Sequence, residues 1–169
     1  MSTVSLYTIG HSYCGRDNLT ERLRAHGVEL LVDVRSFPGS RRNPDVNTEA
    51  MRVWLPERGI QYRWEPRLGG RRKPPKERIP QDGWWRVESF ANYAAHTRTH
   101  DFQAAYVELL AEASARPVAI ICGEPMWWRC HRRMISDLAT VDGHAVWHIM
   151  PDGSRALHQA SEWACQTCA

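Results

Sequence analysis

Short apolar runs and amphipathic segments alternate along the chain, and they predict strands and helices respectively. The clearest run is 118–121, where three of the four residues are β-branched and none is polar, as in a strand buried on both faces of a parallel sheet. Similar runs predict strands at 5–9, 28–34, 60–64 and 145–150. Leu19 and Leu23 share one face of a predicted helix that begins near Asp17 and ends at Gly27.

The remaining amphipathic segments predict helices at 48–58, 89–100, 101–115 and 130–139. Strands that alternate with helices are typical of α/β proteins. We therefore predict a single α/β domain over residues 1–160, with a largely parallel sheet flanked by helices. Residues 70–83 are rich in proline and arginine and predict a mobile basic flap. No regular structure is predicted from Pro151 onwards, and residues 161–169 are assigned to a C-terminal tail.

The composition is that of an ordinary globular protein, with 43% hydrophobic and 24% charged residues. No apolar run approaches the roughly 20 residues of a membrane-spanning helix, and the first residues lack the pattern of a secretory signal. The five cysteines form no disulfide framework, and Cys165-Gln-Thr-Cys168 alone is a weak metal signal because a tetrahedral site needs two more ligands. We expect a cytoplasmic protein with reduced thiols, and no membrane association, metal or other cofactor.

Basic residues are concentrated between residues 35 and 78, where 12 lysines and arginines stand against five acidic residues, although the net charge is only +3. Aromatic residues lie within and just after this segment, at Trp54, Tyr62, Trp64, Trp84 and Trp85. Cationic side chains bind phosphate and flat rings stack on bases, so the segment predicts a nucleic acid or a phosphate-bearing nucleotide as partner. The alternative is a solvated arginine-rich surface over packed tryptophans.

The densest group of reactive side chains follows the predicted strand 118–121. Glu124 follows this strand, and Cys130 and His131 begin the predicted helix 130–139, at the edge where open α/β sheets bind ligands. The start of a helix favours a thiolate over a thiol, and the other two residues can transfer protons. All three are therefore candidate catalytic residues. The alternative is that the cysteines are small buried hydrophobic residues and that the neighbouring arginines pair with carboxylates.

Two other predicted strands end in polar residues at the same edge. His11 follows strand 5–9, and Asp33 lies near the end of strand 28–34, so both are candidate acid–base groups. Arg35 stands two positions after Asp33 and points to the same face of the strand. A structural ion pair between them is the alternative to a catalytic role for Asp33, because a buried aspartate is costly unless it is paired.

A series of short motifs, from about residue 6 to residue 158, is similar to the DUF488 family. The motifs are Tyr7-Thr-Ile-Gly-His-Ser12, Asp33-Val-Arg35 with Pro38 and Ser40, Leu68-Gly-Gly70, Cys122-Gly-Glu124, Cys130-His-Arg132, and His148-Ile149 with His158. The resemblance implies a compact cytoplasmic α/β domain and no settled reaction. The segment Met126-Trp-Trp128 departs from the family's more polar connection, which indicates either a ligand particular to this branch or local packing.

Together these observations predict an enzyme that acts on a nucleic acid or nucleotide by hydrolysis or base removal. Paired carboxylates in a basic pocket can activate water, with Cys130 as anion-binding support or alternative nucleophile. The predicted catalytic residues are Glu124, Asp33, His11, Cys130 and His131. Substrate binding is assigned to Ser12, Arg35, Gly69, Gly70, Arg71, Arg72, Cys122, Trp127, Trp128 and Arg132. The alternatives are a non-catalytic nucleic-acid-binding or regulatory module and a thiol-redox or metal-binding protein.

Overall fold

A computed structural model of the chain describes residues 3–167. The strands are β1 (Ser5–Gly10), β2 (Leu30–Asp33), β3 (Gln61–Trp64), β4 (Val118–Cys122), β5 (Ala145–Ile149) and β6 (Arg155–Leu157). The helices are α1 (Arg16–Ala25), α2 (Thr48–Glu57), α3 (Glu88–His96), α4 (His100–Ala115), α5 (Arg132–Val141) and α6 (Glu162–Thr167). Short 3₁₀ helices lie at Pro44–Val46, Pro66–Leu68, Pro80–Trp84 and Trp127–Arg129.

The strands form a single mixed sheet in the order β3-β2-β4-β1-β5-β6. Every pairing is parallel except that of β5 with β6. The predicted α/β domain with a largely parallel sheet is therefore confirmed. Because β2, β4 and β1 are neighbours and run in the same direction, their carboxyl ends meet at one edge of the sheet.

The helices cover both faces of this sheet because each central strand is apolar on both sides. Leu31, Ala119 and Ile121 pack with α1 and α2 on one face. Val32 and Ile120, which alternate with them along the strands, belong to the second core with α3, α4, α5 and α6. The central strands are thus held between two layers of helices, and only their ends are free to build a site.

The break between the third and fourth helices lies earlier in the chain than predicted. The segment 89–100 was predicted as a single helix, but α3 ends at His96 and α4 begins at His100. The Thr99 side chain accepts a hydrogen bond from the backbone N–H of Phe102 and so caps a new helix.

The prediction of no regular structure from Pro151 onwards is wrong. Strand β6 pairs with β5 in an antiparallel ladder, and α6 follows it. Trp163 anchors α6, since its ring is fully buried and packs against Trp85 at a centroid distance of 5.4 Å. One large aromatic side chain thus fixes a segment that is otherwise short and polar. Cys168 lies outside the described residues.

The predicted basic flap leaves the domain after Gly70 and has little regular structure before Pro80. It is tied to the domain near both ends. Arg72 donates hydrogen bonds to the carbonyl groups of Gly69 and Pro66, and the buried Asp82 forms an ion pair with Arg98. Within residues 3–167, no helix combines the length and apolar character that crossing a membrane would require.

Candidate functional site

A cavity of 550 Å³ opens at the edge where the carboxyl ends of β1, β2 and β4 meet. Eight of the predicted site residues line it: His11, Arg35, Gly70, Arg71, Cys122, Glu124, Cys130 and His131. They reach the cavity from the ends of the three strands, from the start of the flap and from the turn that precedes α5. The parallel sheet therefore brings together side chains that are far apart in the sequence.

The wall contributed by β1 and β2 is held by an ion pair beneath it. Asp33 accepts two hydrogen bonds from the Arg35 side chain, Nε to Oδ1 at 2.8 Å and Nη2 to Oδ2 at 2.6 Å, and one from the Tyr62 hydroxyl at 2.5 Å. Arg35 in turn donates from Nη1 to His11 Nε2 at 3.1 Å. His11 Nδ1 therefore carries the proton and donates to the Ser12 carbonyl group at 2.9 Å.

His11 is consequently neutral at ordinary pH. Burial lowers its pKa, and so does the nearby charge of Arg35, although the hydrogen bond to Ser12 opposes the shift. A neutral imidazole whose Nε2 is occupied by a guanidinium has little capacity to take a further proton. In this arrangement His11 binds and orients more readily than it transfers protons.

Asp33 does not reach the cavity. Its carboxylate is fully buried and lies in the ion pair with Arg35 that the sequence left open as the alternative to a catalytic role. The cavity lining therefore holds one of the two carboxylates that were expected to work together, Glu124. Glu124 is half-buried, and its carboxylate accepts from the Met126 backbone N–H at 3.4 Å.

Cys122 and Cys130 meet at the floor of the cavity with their sulfur atoms 2.6 Å apart. Burial and the hydrogen bond to Cys130 raise the pKa of Cys122 well above its ordinary value. Burial opposes ionisation of Cys130 as well, but the hydrogen bond from Cys122 and the charge of Arg132 outweigh it and lower the pKa of Cys130. The pair is therefore asymmetric, with Cys122 as the thiol donor and Cys130 as the preferred thiolate.

Arg132 supplies the positive charge that favours this thiolate. Its guanidinium is almost fully buried and donates to Thr8 Oγ1 at 3.1 Å and to the carbonyl groups of Glu124 and Pro125 at 2.6 and 3.2 Å. Within residues 3–167 it forms no ion pair with a carboxylate. A buried charge needs compensation, and the Arg132 side chain is one of the groups that lower the pKa of Cys130, so the thiolate is its natural counter-charge. The Arg132 backbone N–H also lies 3.5 Å from Cys130 Sγ.

A chain of buried hydrogen bonds leads away from Arg132 on the other side. Thr8 Oγ1 donates to His148 Nδ1 at 2.6 Å, His148 Nε2 to His158 Nδ1 at 2.8 Å, and His158 Nε2 to Asp137 at 2.7 Å. All donors point the same way because Arg132 can only donate and a carboxylate can only accept. Burial lowers the pKa of His148 to about 2, and charge interactions with His158 and Arg132 add to the shift. His148 therefore stays neutral.

His131 lies beside Cys130 in a fixed tautomer. Its Nε2 donates to the Val34 carbonyl group at 2.5 Å, which leaves Nδ1 without a proton 3.5 Å from Cys130 Sγ. Burial lowers the pKa of His131. Gly70 packs against this ring so closely that a β-carbon would approach Nδ1 to 2.9 Å. A glycine is therefore required for the flap to leave the domain at this point.

The other predicted substrate-binding residues lie outside the cavity lining. Ser12 lines a separate pocket beside Tyr13 and Cys14, Gly69 packs against Ser36, Arg72 is bonded within its own loop, and Arg132 is buried. Trp127 stacks on His148 with its ring parallel at 4.3 Å. Trp128 is 42% exposed and faces a neighbouring groove.

Several lining residues were not predicted. They are Ser36, Phe37, Gly39, Ser40, Ser89, Phe90, Tyr93, Gly123 and Arg129. Phe37 is 71% exposed, and Arg71 lies over its ring at 5.7 Å. The available signal for Phe37 was an aromatic residue at the start of the Pro38-Gly39 turn that follows a predicted strand, whereas nothing in the sequence placed α3 over this edge.

Among residues 3–167, no three histidine, cysteine, aspartate or glutamate side chains converge as ligands would. The cysteines Cys14, Cys122, Cys130 and Cys165 are free thiols.

A family comparison matches residues 16–139 to "Domain of unknown function DUF488". This match covers more than half of the chain and includes Asp33, Arg35 and the segment from Cys122 to Arg132. The motifs at 7–12 and 148–158 lie outside it. No significant match was found among curated proteins or among solved structures.

The Asp33 ion pair should be a large contribution to stability. Asp33→Asn leaves the Arg35 charge without its partner in a buried position, so we expect the free energy of unfolding to fall by about 3–5 kcal/mol. Denaturant titration measures this change. Asp17→Asn removes an aspartate whose ion pair with Arg58 is exposed on the aspartate side, at 98%, and should change stability little. Equal effects of the two substitutions would contradict the assignment.

His148 should make stability dependent on pH. Its pKa is about 2 in the folded chain and 6.5 as the ordinary value, so between these limits the unfolded chain binds a proton that the folded chain does not. The stabilisation that comes from keeping His148 neutral is complete above pH 6.5. Below this pH, the free energy of unfolding falls by about 1.4 kcal/mol for each pH unit. Chemical unfolding of wild type and His148→Gln between pH 7 and pH 4 measures the slope.

His148→Gln should reduce the slope of the free energy of unfolding against pH by the equivalent of about one bound proton. His100→Gln, at the exposed start of α4, is the control and should retain the wild-type slope. An unchanged slope in His148→Gln would show that another group carries the pH dependence.

Proposed function

The chain belongs to the DUF488 family, and from the geometry of its cavity we propose that it is an enzyme of the hydrolytic or base-removing type, with Cys130 as the nucleophile. The substrate we propose is a nucleic acid or a phosphate-bearing nucleotide. The observation that carries the proposal is the thiolate-stabilising position of Cys130 between Cys122 and the buried Arg132. The lowered pKa of Cys130 raises the share of thiolate, which is the nucleophilic form of a cysteine.

The rim of the cavity supports an anionic substrate with a flat ring. Arg71 and Arg129 are exposed cations that line the cavity, and Phe37 offers an exposed aromatic face beside Arg71. Phosphate groups bind such cations and bases stack on such rings. The neighbouring groove adds Trp84 and the exposed Trp128 next to Arg129, which gives a strand of nucleic acid a path out of the cavity.

The proposed reaction has two steps. Cys130 Sγ forms a bond to an electrophilic carbon of the substrate, in base removal the sugar carbon, while the bond from that carbon to the leaving group breaks. Glu124 then takes a proton from water, the hydroxide attacks the same carbon, and the bond to sulfur breaks to restore the thiolate. The leaving group, which departed with the electron pair of its bond, takes up the proton from Glu124, and the carboxylate is restored. Glu124 suits the second step because its carboxylate lies in the cavity lining.

This assignment differs from the paired carboxylates expected from the sequence, because the Asp33 carboxylate has no exposed surface. Asp33 acts instead by orienting Arg35. We propose the cytoplasm as the compartment, since a catalytic thiolate needs a reducing environment.

Binding of nucleic acid should depend on salt. We expect a short single-stranded oligonucleotide to bind at low salt and to weaken steeply as salt rises. Arg71→Gln should reduce the slope of log affinity against log salt by about one unit. Arg52→Gln removes the same charge from the exposed side of α2, away from the cavity, and should keep the wild-type slope. Absence of binding at low salt would exclude nucleic acid as the partner.

Turnover should depend on Cys130. In a survey of nucleotides and oligonucleotides for released base or phosphate, Cys130→Ser should lower the rate on the order of 10³-fold or more. Glu124→Gln should slow the second step, so that a covalent adduct accumulates on Cys130 and is seen by mass spectrometry.

Cys14→Ser is the control, because Cys14 lies outside the cavity lining, and it should keep full activity. Full turnover by Cys130→Ser would show that Glu124 and water carry out the reaction without the Cys130 thiol. Binding without turnover in any substrate would favour the non-catalytic nucleic-acid-binding module instead.

A further inference from the structure

Two cysteines that touch within an open cavity are arranged for chemistry with each other. Cys122 ends β4 and Cys130 precedes α5, and their sulfur atoms lie 2.6 Å apart. A disulfide bond is about 2.05 Å long, so a movement of about half an ångström brings the two sulfurs to bonding distance. Both cysteines line the cavity, and Cys130, at 6% exposed against 2% for Cys122, is the one that a small reagent reaches first.

The two thiols have different roles in such chemistry. Thiol–disulfide exchange begins with the more acidic thiol, because the thiolate is the attacking species. Cys130 is that thiol, and His131 Nδ1, which carries no proton, lies 3.5 Å from its sulfur. Cys122 is held as a thiol until the first exchange has occurred, and it is then in direct contact with the sulfur that it must attack.

The cavity also fits the charge of a common class of small disulfide. Arg71 and Arg129 are exposed at its rim, and Ser36 and Ser40 line the same wall. Carboxylates bind arginines and hydroxyl groups readily. A low-molecular-weight disulfide that carries carboxylates therefore meets cations at the entrance and a thiolate at the floor.

We infer that Cys122 and Cys130 form a reversible dithiol–disulfide couple that reacts with small carboxylate-bearing disulfides. The couple shares Cys130 with the proposed enzyme, but it does not depend on the substrate proposed above.

The exchange balances as follows. Cys130 thiolate attacks one sulfur of the reagent, a mixed disulfide forms on Cys130, and the first small thiolate leaves. Cys122 loses its proton and attacks Cys130 Sγ, the protein disulfide forms, and the second small thiolate leaves. Two protein thiols are thereby oxidised and one small disulfide is reduced to two small thiols, which take up the two protons. A dithiol reductant reverses the sequence.

Peptide mapping of the intact chain tests the couple without any enzymatic assay. Native protein is treated with oxidised glutathione, quenched in acid and alkylated, and its mass is measured. We expect the loss of two alkylatable thiols with no retained glutathione. Trypsin cuts after Arg129, between the two cysteines, so the two peptides should remain joined until a reductant is added.

Variants distinguish the two steps. Cys122→Ser should stop at the mixed disulfide and retain one glutathione on Cys130, and Cys122→Ala provides the same test if serine disturbs the buried position. The Cys14→Ser/Cys165→Ser double variant should behave as wild type, because neither residue lines the cavity.

Retention of both thiols in wild type would overturn the inference, and so would a stable glutathione adduct on Cys130 or a bond from Cys130 to another cysteine. These results are separable from those for the proposed function. If no disulfide forms, turnover by Cys130 can still be measured. If no turnover is found, the disulfide can still be mapped.

Discussion

The buried positive charge of Arg132 is the constraint on which the site depends. The guanidinium is fixed by backbone carbonyl groups and by Thr8, so it cannot turn away to reach solvent. Its charge is balanced in two directions, by the sulfur of Cys130 on the cavity side and, through Thr8, His148 and His158, by the Asp137 carboxylate on the other. A chemically reactive sulfur is therefore part of the same electrostatic balance that holds the core together.

A second network supports the opposite wall and follows the same principle. Asp33 is buried, and its carboxylate fixes the plane of the Arg35 guanidinium. Arg35 in turn sets the tautomer of His11. A carboxylate that would be a proton acceptor in water thus becomes a positioning group when it is buried with a bidentate partner. The two networks belong to different strands. Together they leave few of the side chains around the cavity free to move.

The fold was largely predictable because apolar runs such as 118–121 have few alternatives to buried strands. The gathering of Cys122, Glu124 and Cys130 followed from their position at a strand end. Trp163 was missed because one aromatic residue in a polar tail produces no periodic signal. Thr8 and Asp137 were missed because they look like ordinary strand and helix residues until the fold brings Thr8 beside Arg132 and His158 beside Asp137. Asp33 could be assigned only once its burial was known.

The position of β1 has a consequence for the order in which the chain can fold. Leu6 pairs with Val118 on one side and with Val146 on the other, so the first strand has no sheet neighbour until most of the chain is present. Strand β2 also needs β4, whereas its pairing with β3 is more local. Contacts that close long loops form slowly. During synthesis from the N-terminus, His11 therefore stays in an unpaired segment until β4 and α5 have left the ribosome. The cavity is completed only at that stage.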